Sequence, residues 1–135
     1  MPDAVRAQPK LIEPLVEEVA RFDSPVQNTR RFIAEHTVVA GVELKAGEAM
    51  LLCLAAANRD PQLNPQPDAF DLHRANRQYL TFGRGRHAYP GQALACTIAA
   101  AAINELLEAG LTPQHLSRGW TYRASLNAHI PICSA

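Results

Sequence analysis

Phe82-Gly83-Arg84-Gly85-Arg86-His87-Ala88-Tyr89-Pro90-Gly91 is the stretch on which the reading of this chain turns. It is a glycine-bearing loop, and its glycines allow backbone paths and close approaches that side chains forbid. It runs into residues 92–109, an alanine-rich segment carrying Leu94, Ile98, Ala101 or Ala102 and Glu105-Leu106-Leu107. Alanine favours helix, and Gly110 is suited to close it as a C-cap. A basic loop with one phenol, placed at the start of a long helix, is therefore the centre from which the rest is read.

Upstream of the loop, residues 58–80 hold Pro61, Pro65 and Pro67 with several Asn, Asp and Gln residues. A loop this long in a compact domain is functional or is tied down by specific contacts. Before it, residues 29–56 read as strands. Thr37-Val38-Val39 and Val42-Glu43-Leu44 flank Ala40-Gly41 as a hairpin, and Lys45-Ala46-Gly47-Glu48 is a second turn. Met50-Leu51-Leu52-Cys53-Leu54 is an apolar run, read as a short strand passing into a short helix at Ala55-Ala56-Ala57. Residues 11–22 read as a helix with Leu11, Leu15, Val19 and Phe22 on one stripe, widened by Ile12 and Val16 and ended by Ser24-Pro25. Downstream, residues 111–135 read as a turn and two short strands, Trp120-Thr121-Tyr122 and Ala128-His129-Ile130. With no internal repeat or low-complexity linker, residues 1–135 parse as a single α+β domain.

Composition narrows the function classes. Lys+Arg and Asp+Glu both number 13, so the formal net charge is zero and nothing favours a nucleic acid or an anionic membrane as partner. Zero net charge also removes the repulsion that keeps copies apart, which favours self-association. No apolar run approaches the length of a membrane span, and MPDAVRAQPK lacks the apolar stretch of a secretory signal. Cys53, Cys96 and Cys133 are odd in number and lack C-x-x-C spacing, which fits a reducing cytoplasm and small buried apolar side chains rather than a disulfide framework or zinc site.

The loop resembles the haem-binding loop of the cytochrome P-450 superfamily, F-G-x-G-x-H/R-x-C-x-G, at every patterned position except one: Tyr89 stands where that family places its cysteine ligand. The likeness extends outward. Glu18-Val19-Ala20-Arg21 resembles the family's E-x-x-R helix, whose two charges share a face. Arg74, in Phe70-Asp71-Leu72-His73-Arg74, sits where the meander arginine of that network is expected. Arg31 resembles the strand arginine that meets a haem propionate, and Asn58-Arg59-Asp60-Pro61 matches a frequent bacterial stretch. Nearly all of this chain is covered, but only about the C-terminal third of the family's fold; the oxygen-activating central helix and most of the substrate pocket fall outside it.

The resemblance implies a truncated P-450 fold: E-x-x-R helix, small β-sheet, meander, haem loop, long alanine-rich helix and terminal β-hairpin. It implies haem b as cofactor, with Arg31, Phe82, Gly83, His87 and Gly91 around it, Arg31 and His87 meeting the propionates. Glu18, Arg21 and Arg74 are expected to form a structural charge network. Tyrosinate also ligates haem iron, as in catalase, and Arg84, Arg86 or a protonated His87 would help hold its charge. Tyr89 therefore has two readings: the axial iron ligand, or a packed side chain in a site that no longer binds haem. His87 as a replacement ligand stays open beside them. Ordinary monooxygenation by this chain alone is rejected, because it needs a thiolate that pushes electron density onto oxygen. The leading expectation is a cytoplasmic haem-binding protein, homodimeric through an exposed apolar face, suited to peroxidase- or catalase-like turnover or to haem storage or transfer. The alternatives are a haem-free module that stabilises or activates a partner enzyme, half of a split enzyme, and a nonfunctional remnant.

Overall fold

A computed structural model describes residues 2–111 and 120–133. The chain opens with α1 (Pro2–Ala7) and a 3-10 turn (Pro9–Leu11), then α2 (Ile12–Phe22), ended by Asp23. Strands β1 (Asn28–Phe32), β2 (Thr37–Val39), β3 (Val42–Leu44) and β4 (Ala49–Cys53) follow, β4 passing directly into α3 (Leu54–Ala57). A 3-10 turn at Gly85–His87 precedes α4 (Gln92–Glu108), and the described residues finish with β5 (Trp120–Tyr122) and β6 (Pro131–Cys133).

The strands form three two-stranded antiparallel ribbons, β1 with β4, β2 with β3 and β5 with β6. In the β2–β3 hairpin Val39 faces Val42, and the two residues between them, Ala40 and Gly41, take φ of 50° and 81°. Two successive left-handed residues give the primed turn whose twist suits a tight hairpin. The β1–β4 register sets Arg31 opposite Met50 and Thr29 opposite Leu52. Residues 58–80, between α3 and the glycine loop, form turns and irregular chain with no helix or strand.

Helix α2 is packed differently from its expected apolar stripe. Glu18, Ala20 and Arg21 are buried, whereas Val19 is 42% exposed. The face carrying Leu11, Leu15 and Phe22 continues through position 18 rather than 19, because helical spacing brings i+7 onto the face of i. The apolar cluster is small: Val5, Leu11 and Ile12, with Leu15, Leu72, Ala100, Ile103 and Leu107 against it. It joins α2 to α4, whose own side chains are nowhere fully buried. Gly110, at φ 75°, closes α4.

Two further expectations are corrected. The last strand begins at Pro131, not at 128; Ala128 makes only an isolated bridge to Val26, alongside Gln27 N–H to Asn127 O and His129 N–H to Pro25 O. These bonds dock the terminal hairpin on the chain leaving α2. Cys53, expected to be buried, is exposed at the end of β4 and Cys96 is half-buried, both as free thiols. The side chain of Cys133 and the turn expected from residue 112 lie outside the described residues.

Candidate functional site

The glycine loop is shaped by its own hydrogen bonds. Gly83 N–H donates to Leu80 O, His87 N–H to Arg84 O, Ala88 N–H to Gly85 O, and Tyr89 N–H closes the loop on Phe82 O at 2.7 Å. Gly83 sits at φ 71°, and a Cβ there would lie 2.1 Å from the carbonyl oxygen of His87. Only glycine permits that approach. The loop's entrance is pinned to α2. Thr81 donates to the Ala20 carbonyl and meets Ser24 Oγ at 3.1 Å, while the buried Asn58 donates to Thr81 at 3.0 Å and accepts from Leu80 N–H.

This anchoring places the loop against β1 and β4 around a cleft of about 580 Å³. Its lining includes Pro25, Val26, Leu52, Leu54, Leu80 and Phe82 as apolar walls, with Arg31, Arg84, His87 and Tyr89 among its polar groups. Among the described residues no acidic side chain lines it. Arg31 is braced by its own strand, Nη1 donating to Thr29 Oγ1 at 3.2 Å and to Arg30 O at 2.8 Å. Among the described residues no carboxylate pairs with Arg31, Arg84 or His87. An apolar cleft rimmed by uncompensated cations suits a ligand with an apolar body and carboxylates.

Of the candidates read from the sequence, Arg31, Phe82, Gly83, His87 and Tyr89 all border this cleft, and Gly91 does not. Gly91 lies under Tyr89: a Cβ on it would fall 2.6–2.7 Å from the Tyr89 Cζ, Cε1 and Oη atoms. The Tyr89 ring lies nearly parallel to Phe82, centroids 6.3 Å apart at 14°, and Phe82 in turn meets Tyr79 edge-on at 6.2 Å.

Haem is the group these residues must be tested against. The apolar walls match its body, Arg31, Arg84 and His87 match its carboxylates, and Tyr89 brings a phenol to the cleft. The donor set therefore fits. Metal binding by His, Cys and carboxylate clusters has no counterpart among the described residues.

The charge network adjoins the loop's anchor through Asn58, whose carbonyl accepts from Arg21 while its side-chain amide holds Ser24 and Thr81. Glu18, fully buried, takes Arg21 Nη2 at 2.8 Å and Arg21 Nε at 3.1 Å, the Asp71 N–H at 3.0 Å, and Arg74 Nε at 3.4 Å. Arg21 also donates to the carbonyls of Asn58, Pro67 and Ala69. Arg74 spends most of its donors on the carbonyls of Pro65, Gln66 and Ala69. A fourth member was not foreseen: Arg77 donates to Glu18 at 2.9 Å and to Glu17 at 2.9 Å. It lies in irregular chain, where no periodicity points a side chain anywhere. Burial alone would raise the Glu18 carboxyl, but hydrogen bonds from Arg21, the Asp71 N–H and Arg77, with the Arg21 charge, outweigh it and bring the pKa from 4.5 to about 2. Tyr79, beside this network, is pushed up, chiefly by burial and then by the Glu17 charge.

The chain is similar to known proteins over most of its length. The profile of the family described as cytochrome P-450 matches residues 4–109. The biotin biosynthesis cytochrome P-450 of Bacillus subtilis is 40% identical over 119 residues, covering 88% of this chain and 30% of that protein. The vitamin D(3) 25-hydroxylase of Pseudonocardia autotrophica is 46% identical over 99 residues, covering 73% of this chain and 25% of that protein. Among solved structures, cytochrome P-450 CREJ superposes with a TM-score of 0.86 at 34% identity, covering 96% of this chain and 33% of the other. A P-450 in complex with acyl carrier protein ligated to hexadec-9Z-enoic acid superposes with a TM-score of 0.83 at 38% identity, covering 95% and 33%. The chain belongs to the cytochrome P-450 family, and it spans about a fifth to a third of the length of the relatives it matches.

Proposed function

We propose that this cytochrome P-450 family member binds haem b in the cleft between the glycine loop and the β1–β4 ribbon, with Tyr89 as the axial oxygen ligand. The observation that carries the reading is the gathering of Arg31, His87 and Tyr89 on one apolar cleft with no acidic residue among its described lining. Arg31 and His87 would hold the two carboxylates, Phe82 would pack beside the ligand, and Gly83 lets the loop close as it does. When bound, haem supplies a redox-active iron. The protein's part is to orient the group by its carboxylates and to shield one face with apolar side chains.

Ordinary monooxygenation by this chain alone is not part of the proposal. A phenolate at Tyr89 lacks the electron push of a thiolate. Peroxidase- or catalase-like turnover, or storage and transfer of haem, fits an oxygen ligand in an open cleft better. A cytoplasmic setting accords with the free thiols of Cys53 and Cys96. No helix among the described residues is long and apolar enough to cross a membrane.

The test is an absorption titration with ferric haemin. Saturable one-to-one binding with a high-spin tyrosinate-type spectrum, lost in Tyr89→Phe and kept in His87→Ala, supports the assignment. Binding with a spectrum indifferent to Tyr89→Phe rejects Tyr89 as ligand; absence of binding rejects the cofactor.

A second reading, a haem-free module that acts on a partner protein, is favoured by the outer surface. Phe32, Leu94, Ile98 and Leu126 are 75%, 65%, 60% and 87% exposed. Apolar side chains this open mark surfaces that associate. The same side chains motivate a homodimer, which size-exclusion chromatography with light scattering decides. A stable, non-aggregating monomer overturns it.

A further inference from the structure

Tyr89 and Gly91 are built around one another. The position a Gly91 Cβ would take is 2.6 Å from Tyr89 Cζ and 2.7 Å from its Cε1 and Oη, closer than real Cβ contacts come. These are the far atoms of the phenol, so the ring is folded back along the loop toward the start of α4. Phe82 supports it, its ring stacked nearly parallel to that of Tyr89. Among the described residues the Tyr89 hydroxyl makes no hydrogen bond, and the residue is 56% exposed. What holds the phenol is therefore shape: an aromatic neighbour and a missing methyl group.

The backbone around this niche cannot slide to make room. Tyr89 N–H is tied to Phe82 O, Gln92 N–H to Tyr89 O at 3.2 Å, and Ala95 N–H to Gly91 O at 2.9 Å. Gly91 itself has φ −86° and ψ 7°, outside the left-handed region and open to an L residue. Its freedom from a side chain is thus not needed for the turn. It is needed for the ring.

We propose that Gly91 is the positioning residue for Tyr89: it leaves the niche in which the phenol is stowed, and so sets how far the hydroxyl reaches into the cleft. A phenol extends much further from its backbone than a thiol does. A tyrosine at this point of the loop shares the cleft with a flat ligand only if its ring lies aside along the wall. The consequence for ligation rests on the haem-binding reading; the niche does not.

Gly91→Ala is the test, because the added methyl group meets only the mobile end of Tyr89. In protein labelled with meta-fluorotyrosine, fluorine NMR resolves Tyr79, Tyr89 and Tyr122, assigned by single Tyr→Phe changes. Gly91→Ala moves the Tyr89 resonance and leaves Tyr122 in place, with the urea midpoint reporting that the fold is intact. An unmoved Tyr89 resonance overturns the niche. With ferric haemin, Gly91→Ala weakens binding roughly tenfold and shifts the tyrosinate band, because the displaced ring no longer presents its oxygen at the same place. A Gly91→Ala protein with wild-type affinity and an unchanged tyrosinate band overturns the positioning role while leaving haem binding standing. A moved resonance in a protein that takes up no haemin supports the niche and sinks the haem reading instead.

Discussion

Glu18→Gln keeps the shape of a fully buried side chain and removes its charge. In the wild type its two oxygens face the guanidinium groups of Arg21, Arg74 and Arg77. Arg21 is itself fully buried, so the neutral amide leaves it among carbonyls with no counter-charge. Removing one partner of a buried pair costs about 3–5 kcal/mol. The carboxyl's own titration gives a second route to the magnitude. Its pKa falls from 4.5 to about 2, which corresponds to about 3 kcal/mol of stability. A depressed folded-state pKa stabilises above the unfolded value, so this contribution is complete above pH 4.5 and is lost as the pH falls from there through about 2. Urea unfolding followed by far-ultraviolet circular dichroism, run from neutral pH down through that window, measures it. The wild type loses about 3 kcal/mol more than Glu18→Gln over the acid range. Parallel pH profiles for the two proteins would refute the reasoning. Should Glu18→Gln fail to fold, carboxyl carbon NMR of the wild type decides the matter, a Glu18 midpoint at its ordinary 4.5 being the refuting result.

Three further outcomes follow from the same geometry. Gly83→Ala forces its methyl group onto the His87 carbonyl and abolishes haemin uptake, whereas Gly85→Ala enters open space at φ 58° and costs only about 1–2 kcal/mol in urea unfolding. Equal effects would show that the loop does not hold the path described. Arg77→Ala raises the Glu18 midpoint in carboxyl NMR more than Arg74→Ala does, because Arg77 is at 2.9 Å and Arg74 at 3.4 Å; the reverse order would displace Arg77 from the network. Arg31→Ala weakens haemin binding roughly tenfold, the worth of a charge-assisted hydrogen bond, and makes the remaining affinity less sensitive to salt. Unchanged affinity in that variant would take Arg31 out of the site.

The residues that announce the fold are those whose local pattern and tertiary role coincide. Val39-Ala40-Gly41-Val42 reads as a hairpin because strand-like runs flank Ala40-Gly41, and the structure puts both of those residues in the left-handed backbone of a primed turn. Residues 92–109 read as a helix from alanine content and Gly110. Where local pattern and packing diverge, the reading slips. Val19 looks like core by its apolar spacing, yet the buried face of α2 passes through the charged Glu18 and Arg21. Hydrophobicity cannot signal that a carboxylate is the most enclosed side chain of a helix. At the cleft, the loop pattern pointed to Phe82, Gly83, His87 and Tyr89, and the strand register brings Arg31 beside them. Arg84, expected near Tyr89, does share the lining with it. Arg77 in the network was not assigned its place, because it is aimed by irregular chain whose path depends on contacts distant in sequence, such as Asn58 holding Leu80 and Thr81.

The balance of the buried side chains bears on how this protein responds to temperature. Among the described residues the buried apolar ones are Val5, Leu11, Ile12 and Ala20, against Glu18, Arg21, Ser24, Asn58, Asn64 and Thr81. Exposing apolar groups to water raises heat capacity, and exposing polar ones lowers it. Melting an interior of this kind therefore takes up less extra heat capacity than melting an oily one of the same size. The expected stability curve is a shallow arch rather than a steep one: calorimetry should find an unfolding enthalpy that changes little with temperature, and cooling should weaken the fold only slowly.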